Sequence, residues 1–352
     1  MFDDRRPFMI QQHGGNIDRL ENILDLSANI NPLGLPERVR AAIAESIPDA
    51  EKYPDPGCTV LRERLADLEQ IPAENIVCGN GADDLIFRIV HALRPKKALV
   101  TAPTFSEYSR ALAEAGCGTD QHFLREESGF ELTEDILQQL DENVDICFIC
   151  TPNNPTGRLA DPDLLGKIAR KCLENSTILV CDECFLGFAE NSPYLSLRQY
   201  LNDSCVILKA FTKLFAMPGI RLGWAICGSS SLAKRIGESG QFWPVSSLAQ
   251  AAGIAALDEV GYLGRTVRLI AEERRFLRAE MEKMGVKVYE SQANFLLFRS
   301  RPDLGEKLLA QGILIRDCRA FAGLSPGYYR IAVRDHEENS AFLTGLRRCL
   351  NV

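Results

Sequence analysis

The stretch DICFICTPNNPTG, from Asp145 to Gly157, says most about the fold. Its first part, Ile146 to Cys150, is a continuous apolar run of the kind found in strands that are buried on both faces of a parallel sheet. A turn rich in proline, asparagine and glycine follows at once. Open α/β sheets bind ligands beyond the carboxyl ends of their strands. The stretch therefore predicts an α/β fold with a ligand site at this turn, although the turn taken alone also fits an ordinary surface loop.

Strand-like and helix-like segments alternate on both sides of this stretch. Apolar runs occupy residues 75–78, 98–101, 177–181, 204–209 and 221–227, and helical periodicity covers residues 81–93, 106–116 and 162–175. This alternation predicts a mainly parallel sheet with helices on both faces. After residue 240, a long helical stretch precedes short strands and helices, which predicts a smaller α+β domain. We expect an N-terminal segment (1–45) that packs with the small domain, a large domain (46–240) and a small domain (241–352).

The composition argues against several classes of partner. The formal net charge is -8 at pH 7, which disfavours nucleic acid and anionic membranes. No apolar run approaches the roughly 20 residues that span a bilayer, and residues 1–15 lack the apolar core of a signal peptide. The sequence therefore predicts a cytoplasmic protein.

The chain has twelve cysteines, including two Cys-x-x-Cys pairs at Cys147/Cys150 and Cys181/Cys184. Such pairs can be halves of a zinc site. Here they lie in or next to apolar strand-like runs, and residues i and i+3 of a strand point to opposite faces. We therefore expect buried thiols and no metal.

Two charged side chains follow apolar runs, and a third lies at the start of another run. Asp182 ends one run, with a helix cap or a surface acid as the alternative. Lys213 lies among apolar residues, where desolvation lowers the pKa of an amine and makes it a nucleophile. Arg221 comes eight residues later and could pair with a phosphate. Lys209, inside the strand-like run, is the competing lysine.

Together, Asn154, Asp182, Lys213 and Arg221 resemble the conserved pattern of the class I and II aminotransferases, and this resemblance runs nearly end to end. It implies the fold of type I pyridoxal-phosphate (PLP) transferases, in which a mainly parallel seven-stranded sheet forms the large domain and a smaller α+β domain follows. It also implies that Lys213 holds the cofactor as a Schiff base. Asn154 would bind the ring oxygen, Asp182 the ring nitrogen, and Arg221 with Thr212 the phosphate.

The resemblance extends to residues outside this pattern. Gly81 and Ala82 open a predicted helix, whose free N–H groups would bind the cofactor phosphate. Tyr108 would stack on the cofactor ring, with Phe105 as the less favoured choice. Tyr53 would reach the phosphate of a neighbouring subunit, which implies a homodimer with shared active sites. Phe185 stands where the family commonly has a tyrosine, so one hydrogen bond to the cofactor would be missing.

The resemblance also assigns a further group of residues to the binding of a phosphorylated amino-acid substrate. Arg316 and Arg330 lie in strand-like segments and match family arginines that bind a phosphate or a carboxylate; a surface ion pair is the alternative for either. Near the N-terminus, His13 and Gly14 could form an anion-binding turn, and Asn31 belongs to a second motif that accompanies it.

The resemblance of these segments to phosphate-handling members of the family implies decarboxylation of L-threonine O-3-phosphate to (R)-1-amino-2-propanol O-2-phosphate, a reaction of cobalamin biosynthesis. Transamination of histidinol phosphate or of an aromatic amino acid is the alternative. A PLP-fold protein without catalysis is a third possibility, which the complete set of four cofactor residues disfavours. The sequence does not separate threonine phosphate from serine phosphate, since one methyl group contributes only about 1–3 kcal/mol to discrimination.

Overall fold

The computed structural model describes residues 14–15 and 22–351. The helices are Glu37–Ser46 (α1), Thr59–Glu69 (α2), Gly81–Leu93 (α3), Ser106–Glu114 (α4), Pro162–Glu174 (α5), Phe211–Leu214 (α6), Ser230–Gly237 (α7), Ser247–Leu257 (α8), Tyr262–Lys283 (α9), Leu304–Leu309 (α10) and His336–Leu350 (α11). The strands are Leu24–Asp25 (β1), Ile76–Gly79 (β2), Lys97–Ala102 (β3), Gly118–Phe123 (β4), Ile146–Cys150 (β5), Ile178–Asp182 (β6), Cys205–Ala210 (β7), Gly223–Cys227 (β8), Lys287–Val288 (β9), Phe295–Arg299 (β10), Ile313–Leu314 (β11), Arg316–Asp317 (β12) and Tyr328–Ala332 (β13).

The large sheet has seven strands in the order β2-β8-β7-β6-β5-β3-β4. Strand β8 runs antiparallel to β2 and β7, whereas the other neighbouring pairs are parallel. The prediction of a mainly parallel seven-stranded sheet is confirmed. Strand β4 was not predicted, because it lies at the sheet edge and its residues are mostly polar and exposed, so it has no apolar run.

Helices cover both faces of this sheet. Alternate residues of β5 enter different cores: Cys147 and Ile149 pack with residues of α2, α5 and α8, whereas Phe148 and Cys150 pack with residues of α3, α4 and α7. The two thiols of the first Cys-x-x-Cys pair therefore lie on opposite faces, as the strand geometry predicts. All twelve cysteines lie within the described residues and are free thiols.

The C-terminal part forms a four-stranded sheet in the order β12-β13-β10-β9, whose core includes residues of α9, α10 and α11. Strand β1 pairs in parallel with β11, and Leu26 O accepts from Ala332 N at 2.8 Å, so the chain near residue 25 packs on this unit.

The large core extends past both expected boundaries. Val39 of α1 and four of the five alanines of α8 are buried in the same cluster as the large-sheet residues. The composition of the sequence changes near residue 240, but the core of the large sheet continues to α8. There Gly253 lies close to Leu61 and Leu222. Among the described residues, no helix is long and apolar enough to cross a membrane.

Candidate active site

A cavity of about 400 Å³ lies at the carboxyl ends of β5, β6 and β7, between the large sheet and the C-terminal unit. This is the position that the strand ends predict for a ligand site. Nine of the residues predicted from the sequence line it: Gly14, Ala82, Asn154, Asp182, Thr212, Lys213, Arg221, Arg316 and Arg330. His13 lies outside the described residues.

The turn after β5 aims Asn154 into the cavity. Asn153 stabilises the turn from behind, because its Nδ2 donates to Pro103 O at 2.9 Å and to Thr156 Oγ1 at 3.0 Å. The neighbouring Asn154 faces the cavity, where its Oδ1 accepts a hydrogen bond from Nη1 of Arg330. Asn153 therefore stabilises the turn, and Asn154 presents its amide to the cavity.

Asp182 is the last residue of β6 and only 5% of it is exposed. Its Oδ1 accepts from the backbone N–H of Cys184 at 2.9 Å, and its Oδ2 accepts from the hydroxyl of Tyr108 at 2.6 Å. Both oxygens are thus held while the carboxylate still lines the cavity.

Lys213 lies in the short helix α6, directly after β7, and is the amine that the cavity contains. Burial lowers the pKa of Lys213 to about 8, and the nearby charges of Arg330 and Arg221 act in the same direction. A lysine with this pKa supplies a larger fraction of uncharged, nucleophilic amine near neutral pH than an exposed lysine does. Lys209 instead donates to Glu69 at 2.9 Å and serves an ion pair.

The start of α3 and Arg221 form one wall. The Nη2 of Arg221 donates to Asn80 O at 3.4 Å, and a Cβ at Gly81 would lie 2.6 Å from that nitrogen. Only glycine leaves room for the guanidinium there, and Gly81 also has a φ of +86°. Free N–H groups at a helix start, with a cation beside them, are suited to a phosphate.

Two buried arginines from the C-terminal unit form the opposite wall. Arg316 of β12 and Arg330 of β13 are direct cross-strand partners. Arg330 donates to Ser27 O at 2.8 Å, and burial together with the charge of Arg316 lowers the pKa of Arg330 to about 10. Like charges directly opposite one another are unfavourable in a sheet, so this pair is suited to an anion.

The position of Tyr108 corrects the sequence prediction. Its ring is fully buried and stacked on Phe148, with centroids 5.0 Å apart, and does not line the cavity. Phe105 lines the cavity instead. The reason is helix geometry: α4 begins at Ser106, so Phe105 at its entry faces the cavity and Tyr108, within the first turn, faces the sheet.

Asn31 also lies elsewhere than predicted. Its Nδ2 donates to Leu214 O at 2.7 Å and to Thr266 Oγ1 at 2.8 Å, so the side chain links the segment around residue 31 to α6 and α9. Asn29 lines the cavity instead, and its buried Oδ1 accepts no hydrogen bond from any described residue. The sequence offers no signal that separates these two asparagines, because the segment has no regular periodicity.

Tyr53 does not reach the cavity of its own chain. It is 79% exposed and stacks on Trp243, with ring centroids 4.3 Å apart. Phe185 does line the cavity, and its ring meets Phe295 edge to face at 5.0 Å. It presents hydrocarbon where a tyrosine would present a hydroxyl.

Comparison with known proteins identifies the class. The model of the family "Aminotransferase class I and II" matches residues 21–346, so the chain belongs to this family of PLP-dependent enzymes. The cavity fits the cofactor: it has a buried amine of lowered pKa, a carboxylate held at both oxygens, and a glycine-lined helix start beside a guanidinium.

Individual relatives narrow the comparison. The chain is 37% identical to threonine-phosphate decarboxylase from Salmonella typhimurium, over 96% of each chain. It is 35% identical to histidinol-phosphate aminotransferase from Methanosarcina mazei, over 91% of this chain and 86% of that protein. Among solved structures, histidinol-phosphate aminotransferase from Clostridium acetobutylicum matches with a TM-score of 0.87 and 30% identity, over 93% of this chain and 98% of that one.

Proposed function

We propose that the protein decarboxylates L-threonine O-3-phosphate to (R)-1-amino-2-propanol O-2-phosphate. The observation that carries this proposal is the pair of buried guanidinium groups, Arg316 and Arg330, on one wall of the cavity. A substrate with both a phosphate and a carboxylate matches two such groups. The full-length similarity to the Salmonella decarboxylase supports the same choice.

In this proposal the large-domain wall holds PLP. Lys213 would bind its aldehyde carbon, Asp182 would hold the ring nitrogen and Asn154 the ring oxygen. The phosphate is bound by the first N–H groups of α3, at Gly81 and Ala82, together with Thr212 and Arg221. Phe105, which lines the cavity, replaces Tyr108 as the aromatic side chain that contacts the ring. The bound cofactor supplies an electron sink for the bond that breaks at Cα.

The C-terminal wall orients the substrate. Arg316 and the N-terminal turn at His13 and Gly14 hold the phosphate, and Arg330 holds a second anionic group. Asn29 takes the place that the sequence suggested for Asn31, since Asn29 lines the cavity. Binding at these remote groups sets the torsion about Cα, which decides which bond is broken. Lys213, freed when the substrate amine takes its place on the cofactor, would then donate a proton to Cα after CO₂ has left.

We also infer a homodimer in the cytoplasm. The exposed ring of Tyr53 supports this, because an aromatic side chain 79% exposed at the tip of a loop is suited to insertion into a second subunit. There its hydroxyl would donate to the phosphate of the partner's cofactor. The product would serve cobalamin biosynthesis.

Histidinol-phosphate aminotransferase activity is the second candidate. The 35% identity to the Methanosarcina enzyme favours it, and so does the close match to the Clostridium structure. Histidinol phosphate has no carboxylate. This reaction would therefore use the second arginine only for the carboxylates of 2-oxoglutarate and of the glutamate formed from it.

An end-point assay with PLP-loaded enzyme separates the two reactions. One sample receives L-threonine O-3-phosphate alone, and the other receives L-histidinol phosphate with 2-oxoglutarate. CO₂ and aminopropanol phosphate from the first sample, without glutamate from the second, are the expected result. Glutamate from the second sample alone would refute the decarboxylase. Lys213→Ala enzyme is the control for reaction by free PLP.

A further inference from the structure

The hydroxyl of Tyr108 has a specific partner in the site. It donates to Oδ2 of Asp182 at 2.6 Å, and neither group is exposed to solvent by more than a few per cent. The other oxygen, Oδ1, accepts from the N–H of Cys184 two residues further along the chain. One donor is therefore local to the end of β6, and the other comes from α4. Two donors on two oxygens fix the plane of a carboxylate, whereas one donor leaves it free to rotate.

Tyr108 is itself held firmly. Its ring stacks on Phe148 of β5 with an interplanar angle of 15° and meets Phe105 edge to face at 5.6 Å. Burial and the charge of Asp182 raise the pKa of the Tyr108 hydroxyl well above its usual value, so it keeps its proton and remains a donor. Phe105 precedes the first residue of α4 and Tyr108 lies in its first turn, so the beginning of this helix contacts both the cavity and the carboxylate behind it.

From this geometry we propose that Tyr108 is a positioning residue that orients the Asp182 carboxylate toward the ring nitrogen of the cofactor. This inference rests on the proposed placement of Asp182 against that nitrogen, and not on the identity of the substrate. Hydrogen bonds from a packed outer side chain commonly hold a functional group within the narrow range of orientation that its task needs.

Tyr108→Phe removes one oxygen atom and keeps the ring stack. Loss of a hydrogen bond to a charged group is expected to raise the dissociation constant of PLP roughly tenfold. We also expect a shift in the midpoint of the pH titration of visible absorbance in the PLP-loaded enzyme. Burial and the charge of Asp182 raise the pKa of the nearby thiols Cys150 and Cys184, so these groups do not titrate in the same range.

Tyr329→Phe is a matched control. Tyr329 is fully buried, and its hydroxyl donates to the backbone oxygen of Pro302 at 2.7 Å, away from the cavity. Both variants should lose a similar amount of thermal stability, but the control should keep the wild-type PLP affinity and absorbance midpoint. A Tyr108→Phe enzyme that matches the control in both readouts would overturn the proposal.

A double-mutant cycle tests whether Tyr108 acts through Asp182. In an Asp182→Ala background, Tyr108→Phe should change the PLP dissociation constant by less than about twofold, because the partner is absent. Full additivity of the two effects would refute a positioning role. Both readouts are made without substrate, so a protein that binds PLP but releases no CO₂ would refute the proposed function and leave this inference intact.

Discussion

At the scale of single residues, Lys213 shares the cavity with four guanidinium groups, those of Arg110, Arg221, Arg316 and Arg330. Burial makes the protonated amine unfavourable, and the charges of Arg330 and Arg221 act in the same direction, so the pKa of Lys213 is lowered to about 8. The same feature that makes the amine reactive therefore costs stability in the cofactor-free protein. Ionisable groups with strongly shifted pKa values cluster at functional sites, and Lys213 is such a group.

This cost gives a prediction for Lys213→Met in the absence of PLP. Because the pKa is lower in the folded than in the unfolded chain, the unfolded chain binds more protons between pH 8 and 10.5, and the stability of the wild-type protein rises with pH across that window. The variant lacks this contribution. Its advantage over wild type should be largest below pH 8 and should shrink by on the order of 3 kcal/mol by pH 10.5.

Urea unfolding of both proteins at pH 7.5 and pH 10.5 measures this difference. Comparing the two proteins at each pH removes the contribution of the other groups that titrate. An advantage of the same size at both pH values would show that the pKa of Lys213 is not lowered in the folded protein.

At the scale of elements, the beginning of α3 shows how backbone and side chain combine. Gly81 has a φ of +86°, and its missing side chain lets Arg221 approach the helix start. Gly223 of β8 is equally close on another side, since a Cβ there would lie 2.7 Å from Ala82 N. The proposed site for the cofactor phosphate, the phosphate cradle, thus depends on two glycines and one arginine from three different segments.

Gly81→Ala should therefore lower the affinity for PLP by tenfold or more, because the new methyl group displaces the Arg221 guanidinium. Gly116→Ala is a matched control: its φ is +70°, but a Cβ would meet nothing within 4 Å. Both variants should lose about 1–2 kcal/mol of stability from the left-handed backbone. Equal PLP affinity in the two variants, measured by fluorescence titration, would argue against the cradle.

At the scale of the whole molecule, the cavity is built by parts of the chain that are far apart in sequence. Strand β1 pairs with β11, and the backbone oxygen of Ser27 accepts a hydrogen bond from Arg330. The chain near residue 25 therefore packs against the cavity wall that contains Arg330. Tyr53, in contrast, is exposed and does not line this cavity. A second subunit would supply the tyrosine that this chain does not place in its own site.

Complementation between subunits tests that arrangement. Lys213→Ala and Tyr53→Ala subunits, each nearly inactive alone at limiting PLP, should regain activity when they are co-expressed. In a hybrid dimer, one site receives Lys213 and Tyr53 from different intact copies, so random assortment predicts about a quarter of wild-type activity. Activity no greater than the average of the two parents would show that Tyr53 does not act across subunits.

The sequence by itself determined the class of fold and the end of the sheet at which the site lies. Asn154, Asp182 and Lys213 each follow an apolar run, and parallel strands bring their carboxyl ends to one edge. That inference needs only local patterns, because strand periodicity and the direction of the chain are local properties.

The tertiary structure decided which neighbouring side chains enter the cavity. Phe105 rather than Tyr108 lines it, and Asn29 rather than Asn31, because orientation depends on where α4 begins and on how an irregular segment packs. It also placed the polar edge strand β4 and carried the large core past residue 240. These features follow from contacts between distant segments, and the free energy of such contacts has no signature in the adjacent sequence.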